Sequence, residues 1–324
     1  MNQSRETNES SFSHETEVEP RSIAVATTTL YPMWYPGEIQ NHDLTDKIRG
    51  DLALQLIKEV VSKGYQIALV DGESSPEFLS EVGIMGVVAQ SEKERGMSGS
   101  RRQALEAASR LDGAKVICWT EPEKISIIMD CLPLAILSIL QDEADIVVPS
   151  RNEASFQTYP DYQVKEEKRA NRQWNNILRA RGLLSKDSPD LDVWFGPKFF
   201  RNDPEILRLF LQKYEYHRFP PITAKDTKHK KELRQIYNPE LWPNATFLPV
   251  VAALHQGLRV KSVPVSYLHP QKQTQIELDS QEYRRKRDIQ RKNIIISTIN
   301  FIRMLESNPE KLGRLKKIDK GGLR

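Results

Sequence analysis

The stretch that decides the fold is Lys115-Val116-Ile117-Cys118-Trp119-Thr120-Glu121-Pro122-Glu123-Lys124. A short apolar run indicates a buried strand, and it ends in two carboxylates one residue apart, with Pro122 placed to begin a helix. Because ligands of open α/β sheets bind beyond the carboxyl ends of the strands, two carboxylates there could bind Mg²⁺ or Mn²⁺ and through it a diphosphate. The alternative is that both carboxylates only stabilise the dipole of the following helix.

Strands and helices alternate on both sides of this stretch. Apolar runs predict strands over 23–28, 65–70, 84–89, 114–119 and 144–149. Helices are predicted over 44–63, where an apolar residue recurs every fourth position before Gly64, and over 76–82, 98–111 and 125–140, the last bent by Pro133. Five strands that alternate with helices within about 130 residues predict a parallel, doubly wound sheet.

The composition excludes several classes of protein. A net charge of +3 over 324 residues does not indicate nucleic acid or an anionic membrane as a partner. Two cysteines, Cys118 and Cys131, form neither a disulfide framework nor a zinc cluster, and they suit a reducing compartment. No secretory signal and no run of about 20 apolar residues is present. We therefore expect a cytoplasmic protein without a transmembrane segment.

Four motifs are spread in order over residues 23–270. They are Leu69-Val70-Asp71-Gly72-Glu73-Ser74-Ser75 at a strand end, Arg95-Gly96-Met97-Ser98-Gly99-Ser100-Arg101-Arg102 at a helix entry, Thr120-Glu121-Pro122-Glu123, and Pro264-Val265-Ser266-Tyr267-Leu268-His269-Pro270. In this order and spacing they resemble the nucleotide-sugar transferases of the GT-A type, in particular the family-2 glycosyltransferases. The resemblance implies a GT-A-like, Rossmann-like α/β fold with a mostly parallel sheet flanked by helices.

The resemblance also implies a nucleotide site. Asp71 would accept a hydrogen bond from the base, although an Asp-Gly turn needs no ligand. The Gly-rich helix entry would let the backbone approach the phosphates, with arginines adding charge, although its serines could simply cap the helix. The nucleotide-binding residues expected are Thr27, Thr28, Asp71, Glu73, Arg95, Gly96, Ser100 and Arg101.

The metal site implied by the resemblance consists of Glu121, Glu123 and His269, which would hold Mg²⁺ or Mn²⁺. The chain departs from the family here, because it carries Glu-Pro-Glu where the family carries Asp-x-Asp. Longer side chains move the metal, and Pro122 stiffens the backbone, so both glutamates, one of them or neither could bind it. A lone histidine is otherwise a packed or solvated residue.

The acceptor side is implied by Asp192-Val193-Trp194-Phe195-Gly196-Pro197-Lys198-Phe199-Phe200-Arg201, which resembles the family's strand near the sugar. Arg151, Gly196 and Trp242 are the acceptor residues expected. Asn244 lies where many inverting members carry an acidic base, and Glu240 precedes it, so these two are the catalytic residues expected. Otherwise the enzyme is retaining or inactive, and Trp242-Pro243-Asn244 with His269 also resembles the retaining mannosylglycerate-synthase-like transferases.

The sequence therefore predicts a metal-dependent, hexosyltransferase-type glycosyltransferase that moves a sugar from a nucleoside diphosphate sugar to a hydroxyl acceptor. One alternative is a sugar-phosphate nucleotidyltransferase, which needs a Gly-rich, basic signature after the first strand, where this chain has Thr27-Thr28-Thr29-Leu30-Tyr31-Pro32. The other alternative is a non-catalytic protein that binds nucleotide sugars. The partners expected are the donor and the acceptor, not nucleic acid, and a second copy of the chain is left open.

The domain organisation predicted has three parts. Residues 1–20, rich in Ser, Thr, Asn and Glu, form a disordered tail. Residues 21–275 form a single main domain, with a nucleotide-binding half over 21–150 and an acceptor half over 151–275. Residues 276–324 form a C-terminal helical extension.

Overall fold

The computed structural model describes residues 18–40, 44–214, 230–276 and 281–307. Most of the predicted N-terminal tail lies outside the described residues. Within these ranges one mixed sheet contains the strands β1 (Ile23–Thr29), β2 (Gln66–Asp71), β3 (Ala89–Ser91), β4 (Val116–Trp119), β5 (Ile146–Arg151), β6 (Lys198–Arg201) and β7 (Val260–Val265). Their order across the sheet is β3-β2-β1-β4-β6-β5-β7.

The sheet is mostly parallel, as the sequence predicts. β1 pairs in parallel with β2 and β4, β2 with β3, and β5 with β7. Among the described strands, β6 is the antiparallel member of this mostly parallel sheet, and it lies between β4 and β5. Phe199 of β6 is opposite Cys118 on one side and Val147 on the other. An apolar run in the sequence indicates that a strand is buried, but it does not indicate which strand is its neighbour in the sheet.

The helices cover both faces of this sheet. They are α1 (Leu44–Ser62), α2 (Pro76–Ile84), α3 (Met97–Ser109), α4 (Leu132–Leu140), α5 (Glu153–Phe156), α6 (Asp161–Ala180), α7 (Pro204–Leu211), α8 (Lys230–Ile236), α9 (Leu248–His255), α10 (Gln271–Ile276) and α11 (Gln281–Ser307). A π-helical turn, Ile127–Cys131, precedes α4. Pro133 lies in the first turn of α4, where its missing N–H costs nothing, so the helix predicted over 125–140 is divided here.

Alternate strand residues face two separate cores, as the twofold period of a strand requires. In β1, Ala24 and Ala26 belong to a core that also includes residues of α3, α7, α9 and α11, whereas Ile23 and Val25 belong to a core that includes residues of α1 and α4. Both faces of the strand are fully buried, which is why the central strands are continuous apolar runs. The predicted α/β fold, with helices on both sides of a mostly parallel sheet, is confirmed.

The third predicted strand, over 84–89, is wrong. Helix α2 extends to Ile84, the chain turns at Gly86 with φ +75°, and β3 begins only at Ala89. Ile84 and Val88 have exposed fractions of 76% and 83%, so this apolar run forms no buried strand. The edge strand of the sheet is instead short and polar, which protects an edge from pairing with other chains.

The predicted halves share one sheet. The boundary at residue 150 falls inside β5, and β6 from the second half separates β4 from β5 of the first. The predicted C-terminal extension contributes α11, whose Phe301 is buried and meets Tyr214 edge-on at 4.7 Å between ring centroids. Across the described ranges, no helix combines the length and apolar character that a membrane span needs.

Candidate functional site

A cavity of about 540 Å³, which we call the sheet-end cavity, lies at the carboxyl ends of β1 and β4. Its wall includes Thr28 and Thr29 of β1, Trp119 of β4 and the segment Glu121–Lys124 that follows β4. The first turns of α3 and residues of α11 complete it. Open α/β sheets bind their ligands at this position.

The sheet-end cavity brings together predicted residues from all parts of the site. The predicted residues that line it are Thr28, Gly96, Ser100, Arg101, Glu121, Glu123, Arg151, Gly196, Trp242 and His269. The predicted residues that do not line it are Thr27, Asp71, Glu73, Arg95, Glu240 and Asn244. The second group is held by other parts of the protein, as described below.

The carboxylate of Glu121 is the least satisfied acid in the cavity wall. Its Oε2 is buried and accepts no hydrogen bond from the described part of the chain. A Cβ atom on Gly196 would lie 1.7 Å from Oε1 and 2.3 Å from Oε2 of Glu121. The carboxylate of Glu121 therefore packs against the backbone of Gly196, and any side chain at position 196 would displace it. A buried carboxylate oxygen without a donor costs free energy unless a ligand supplies one.

A buried lysine donates hydrogen bonds to the backbone of the loop that contains Gly196. Lys198 is fully buried, and its Nζ donates to the backbone carbonyls of Val193, Phe195, Gly196 and Pro197 at distances of 3.1–3.3 Å. Burial lowers the pKa of Lys198 to about 7, and the nearby charge of Glu121 opposes this shift. Lys198 thus fixes the backbone against which Glu121 packs.

Two cations lie near Glu121 without hydrogen bonds of their own. Arg101 is buried, with its guanidinium 5.2 Å from the ring of Trp119, and Lys124 Nζ lies 5.1 Å from the ring of Phe195. Burial lowers the pKa of Arg101, against the attraction of Glu121. No other described residue forms a hydrogen bond or an ion pair with either side chain. Two cations in a cavity wall that form no hydrogen bond or ion pair with the described chain are suited to bind an anion.

The first turn of α3, predicted to bind phosphate, is occupied by a carboxylate of the protein. Gly96 precedes the helix with φ +114°. Its N–H donates to Oε1 of Glu92 at 2.9 Å, and Ser100 Oγ donates to the same oxygen. Helix N-termini attract anions, and here Glu92 is that anion. A phosphate at this end of the cavity would have to displace Glu92.

The other two predicted metal ligands have protein partners. Tyr31 donates its phenol proton to Oε1 of Glu123 at 3.2 Å, and Arg49 Nε lies 3.8 Å from the same oxygen. His269 is buried and stacked on Tyr159, with 4.2 Å between ring centroids. Among the residues described, no group of three or more His, Cys, Asp or Glu side chains is arranged to hold a metal ion.

Glu121 nevertheless suits a divalent metal ion that needs only one or two carboxylates from the protein. Mg²⁺ usually keeps several waters and is held through one or two carboxylates and the phosphates of its substrate. The unpartnered Oε2 of Glu121 is an oxygen ligand of that type. The backbone holds it in place: Thr27 Oγ1 donates to the carbonyl of Thr120 at 2.9 Å, and Lys124 N donates to the carbonyl of Glu121 at 3.1 Å.

The predicted base-binding residues are engaged with the loop after β2. Asp71 accepts hydrogen bonds from Thr29 Oγ1 at 2.7 Å and from the backbone N–H groups of Glu73 and Ser74. Glu73 has φ +80° and forms an exposed ion pair with Arg95 at 2.9 Å. Asp71 thus makes the hydrogen bonds of an Asp-Gly turn, and Gly72 of this loop lines the cavity.

The predicted catalytic pair faces an arginine. Arg102 donates to both carboxylate oxygens of Glu240, at 2.7 Å and 3.1 Å, and also pairs with Glu94. Asn244 donates its amide to Oε1 of Glu240. The carboxylate of Glu240 is therefore held by hydrogen bonds within the protein. These hydrogen bonds join α3 to the segment before α9, and the catalytic role of Glu240 and Asn244 stays a prediction.

Arg151 is likewise paired inside the protein. It donates to both oxygens of Asp192 at 2.8 Å and 3.0 Å, and to Glu167 at 2.6 Å. Burial alone would lower the pKa of Arg151, but Asp192 and Glu167 hold it well above its usual value. The guanidinium of Arg151 in the cavity wall thus already has hydrogen-bonding partners within the protein. The buried ion pair between Arg151 and Asp192 fixes the loop that begins at Asp192.

Sequence reasoning missed Lys124, Lys198 and Trp194. Lys124 follows the quoted acidic motif directly, and that adjacency is the one signal that could have identified it. Lys198 and Trp194 stand in the stretch quoted for Gly196. A buried lysine looks like a surface lysine in sequence, because its acceptors are backbone carbonyls that every residue has.

No protein-family model and no curated protein matches the chain. Among solved structures it is similar to mannosyl-3-phosphoglycerate synthase from Rubrobacter xylanophilus, with 12% identity, a TM-score of 0.48, and coverage of 94% of this chain and 79% of that chain. It is also similar to glucosyl-3-phosphoglycerate synthase from Mycobacterium tuberculosis, with 9% identity, a TM-score of 0.45, and coverage of 92% and 82%. A structure of that synthase with Mn²⁺, UDP and glucosyl-3-phosphoglycerate matches with 8% identity, the same coverage and a TM-score of 0.45. Likenesses this distant say nothing about activity, so the function is inferred from the site.

Proposed function

We propose that this chain is a glycosyltransferase that moves a sugar from a nucleoside diphosphate sugar to a hydroxyl acceptor. The observation that supports this most directly is the arrangement around Glu121. An unpartnered carboxylate oxygen lies against Gly196, and two unpartnered cations, Arg101 and Lys124, lie near it at the carboxyl end of the sheet. A diphosphate leaving group needs this kind of electrostatic stabilisation.

In donor binding, the basic residues would contact the diphosphate and the acidic residue would contact the metal ion. Arg101 and Lys124 would bind the diphosphate oxygens and stabilise the negative charge that develops as the glycosidic bond breaks. Gly196 would keep Glu121 in this position, because the carboxylate occupies the space that a side chain at position 196 would fill. A divalent ion, Mg²⁺ or Mn²⁺, would be held by Glu121 together with the diphosphate and would neutralise the leaving group when bound.

Donor binding is tested first by a thermal-shift panel. The protein is melted with UDP, GDP, CDP and their common sugar conjugates, each with and without Mn²⁺, since a ligand of the folded state raises the melting temperature. We expect stabilisation by one nucleoside diphosphate, strengthened by Mn²⁺. The Mn²⁺ contribution should be lost in Glu121→Gln, which keeps the shape but not the charge.

The matched control is Glu106→Gln on the exposed face of α3, which should keep the full shift. Absence of any shift with millimolar nucleotide would overturn the donor site. A shift that Glu121→Gln leaves intact would keep the nucleotide site but remove the metal from it. Binding without turnover of any donor would favour the non-catalytic alternative, in keeping with the engagement of Glu240 by Arg102.

A further inference from the structure

A second cavity, which we call the interhelix cavity, lies between α6 and α11 and has a volume of about 680 Å³. Gln163, Glu167, Trp194 and Arg287 line both this cavity and the sheet-end cavity. The two cavities therefore meet at a common wall. A ligand in the interhelix cavity would lie next to a donor bound at the carboxyl end of the sheet.

The common wall contains a buried polar atom without a partner. Gln163 is buried, and its Nε2 donates to Oε1 of Glu167 at 2.9 Å. Its carbonyl oxygen Oε1 accepts no hydrogen bond from any described residue. A buried amide oxygen left unpaired is costly, and a hydroxyl group is the simplest donor that a ligand could offer it.

The wall also presents a fixed aromatic surface. Asn171 Oδ1 accepts a hydrogen bond from the backbone N–H of Trp194 at 3.1 Å, and the indole meets Phe247 edge-on at 5.6 Å. Tyr162, which lines the interhelix cavity, meets Tyr283 of the sheet-end cavity edge-on at 5.9 Å. Rigid aromatic rings with polar groups beside them suit ligands with both apolar faces and polar edges.

The charges of the interhelix cavity are nearly balanced. Its basic residues are Lys165, Arg169, Arg284, Arg287 and Arg291, and its acidic residues are Asp161, Glu166, Glu167 and Asp288. Several pair with one another: Arg291 with Asp288 and Glu166, and Arg287 with Glu167 at 4.0 Å. A lining whose charges largely neutralise each other gives no strong preference for an anion, but it offers many donors and acceptors to hydroxyl groups.

We propose that the interhelix cavity binds the acceptor, that this acceptor is an uncharged sugar, and that Gln163 and Trp194 recognise it. The inference rests on the proposed glycosyltransferase function, because it places the acceptor beside the donor across the common wall. A sugar hydroxyl donates to Gln163 Oε1, and an apolar ring face packs on Trp194. The acceptor hydroxyl is then presented to the sheet-end cavity.

The test is saturation-transfer-difference NMR on the full chain, saturated with diamagnetic Mg²⁺ and with whichever of UDP, GDP or CDP stabilises it most. The probes are methyl glycosides of glucose, galactose and mannose, with maltose and cellobiose, and D-glycerate and inorganic phosphate are the charged probes. Gln163→Leu and Trp194→Leu are compared with Gln173→Leu, the same substitution at an exposed position of the same helix.

We expect a sugar signal in the wild-type protein and in Gln173→Leu, reduced by about fivefold or more in Gln163→Leu and Trp194→Leu, and a thermal shift with the nucleotide measures donor binding separately in each variant. Equal signals in Gln163→Leu, or binding of only the charged probes, would overturn the sugar assignment. Nucleotide binding with no sugar signal would overturn this inference and leave the donor site standing. Failure of nucleotide binding itself would overturn the proposed function, and this inference with it.

Discussion

Gly196 and Glu121 share a volume that only glycine leaves open: a Cβ on Gly196 would lie 1.7 Å from Oε1 of Glu121. We expect Gly196→Ala to displace the carboxylate, cost about 1–3 kcal/mol of stability through overpacking, and weaken Mn²⁺-dependent nucleotide binding by about tenfold or more. Isothermal titration with and without Mn²⁺ measures this.

The control for that variant is Gly83→Ala in the exposed part of α2, where a Cβ meets nothing within 4 Å. It should leave nucleotide binding unchanged and stabilise the protein by about 0.5–1 kcal/mol, as alanine does in a helix. If Gly196→Ala binds nucleotide and Mn²⁺ like the wild-type protein, the position of Glu121 is not what the site depends on.

Substitution of Arg101 should affect stability and nucleotide binding in different ways. It is buried without a hydrogen-bonding partner in the described chain, so Arg101→Met should leave the melting temperature of the unliganded protein unchanged or higher. The same variant should weaken nucleoside diphosphate binding by about tenfold or more, because a cation facing the phosphates is lost. Melting curves and titration calorimetry supply both quantities.

Arg110→Met, on the exposed end of α3, is the matched control and should change neither quantity. A large drop in the melting temperature of Arg101→Met with unaltered nucleotide affinity would show instead that Arg101 serves the fold. In that case Lys124 would be the remaining unpartnered cation near Glu121.

The buried pair between Arg151 and Asp192 should be essential to the fold. Asp192→Asn leaves the guanidinium buried with only Glu167 as an anionic hydrogen-bond acceptor, so we expect a loss of about 3–5 kcal/mol in urea denaturation. Glu106→Gln, which removes the exposed pair with Arg110, should cost less than about 1 kcal/mol. Similar losses in the two variants would contradict the importance given to the buried pair.

Lys198 should make stability depend on pH in a particular window. Burial lowers its folded-state pKa to about 7 from 10.5, so between these values the unfolded chain binds more protons than the folded one. The free energy of unfolding should therefore rise with pH from about 7 to about 10.5. Below that window Lys198 is protonated in both states, so its titration adds no pH dependence.

The measurement is urea denaturation of the wild-type protein and Lys198→Met at several pH values across that window. The difference between the two free energies of unfolding should grow with pH in favour of the wild-type protein. Parallel profiles would mean that the four backbone carbonyls around Nζ keep Lys198 protonated throughout.

The fold could be predicted from the sequence where burial alone decides the element. The central strands β1, β2, β4 and β5 are apolar runs, and α1 buries Ile48, Leu52, Leu56 and Val60 at a spacing of four. The insertion of β6 between β4 and β5 depends on pairing between strands far apart in the chain. Nothing in a local pattern reports such a partner.

The candidate site was predictable only to the level of its segments. The acidic motif after β4 and the loop of Gly196 do meet in one cavity. The partners of the predicted residues, however, come from distant positions: Arg102 meets Glu240, and Arg151 meets Asp192. Which carboxylates are neutralised and which are left unpartnered is a property of the packed structure, so spacing could not separate Glu121 from Glu240.

Turnover is the direct test of sugar transfer from a nucleotide donor. The wild-type protein and Glu121→Gln are incubated with Mn²⁺, a panel of UDP-, GDP- and CDP-hexoses and the sugar probes, and mass spectrometry follows released nucleoside diphosphate and product. We expect that one donor is consumed, that a product of acceptor plus one hexosyl unit forms, and that Glu121→Gln lowers the rate by about a hundredfold or more. Consumption of no donor, by a protein that still binds the nucleoside diphosphate, would contradict it.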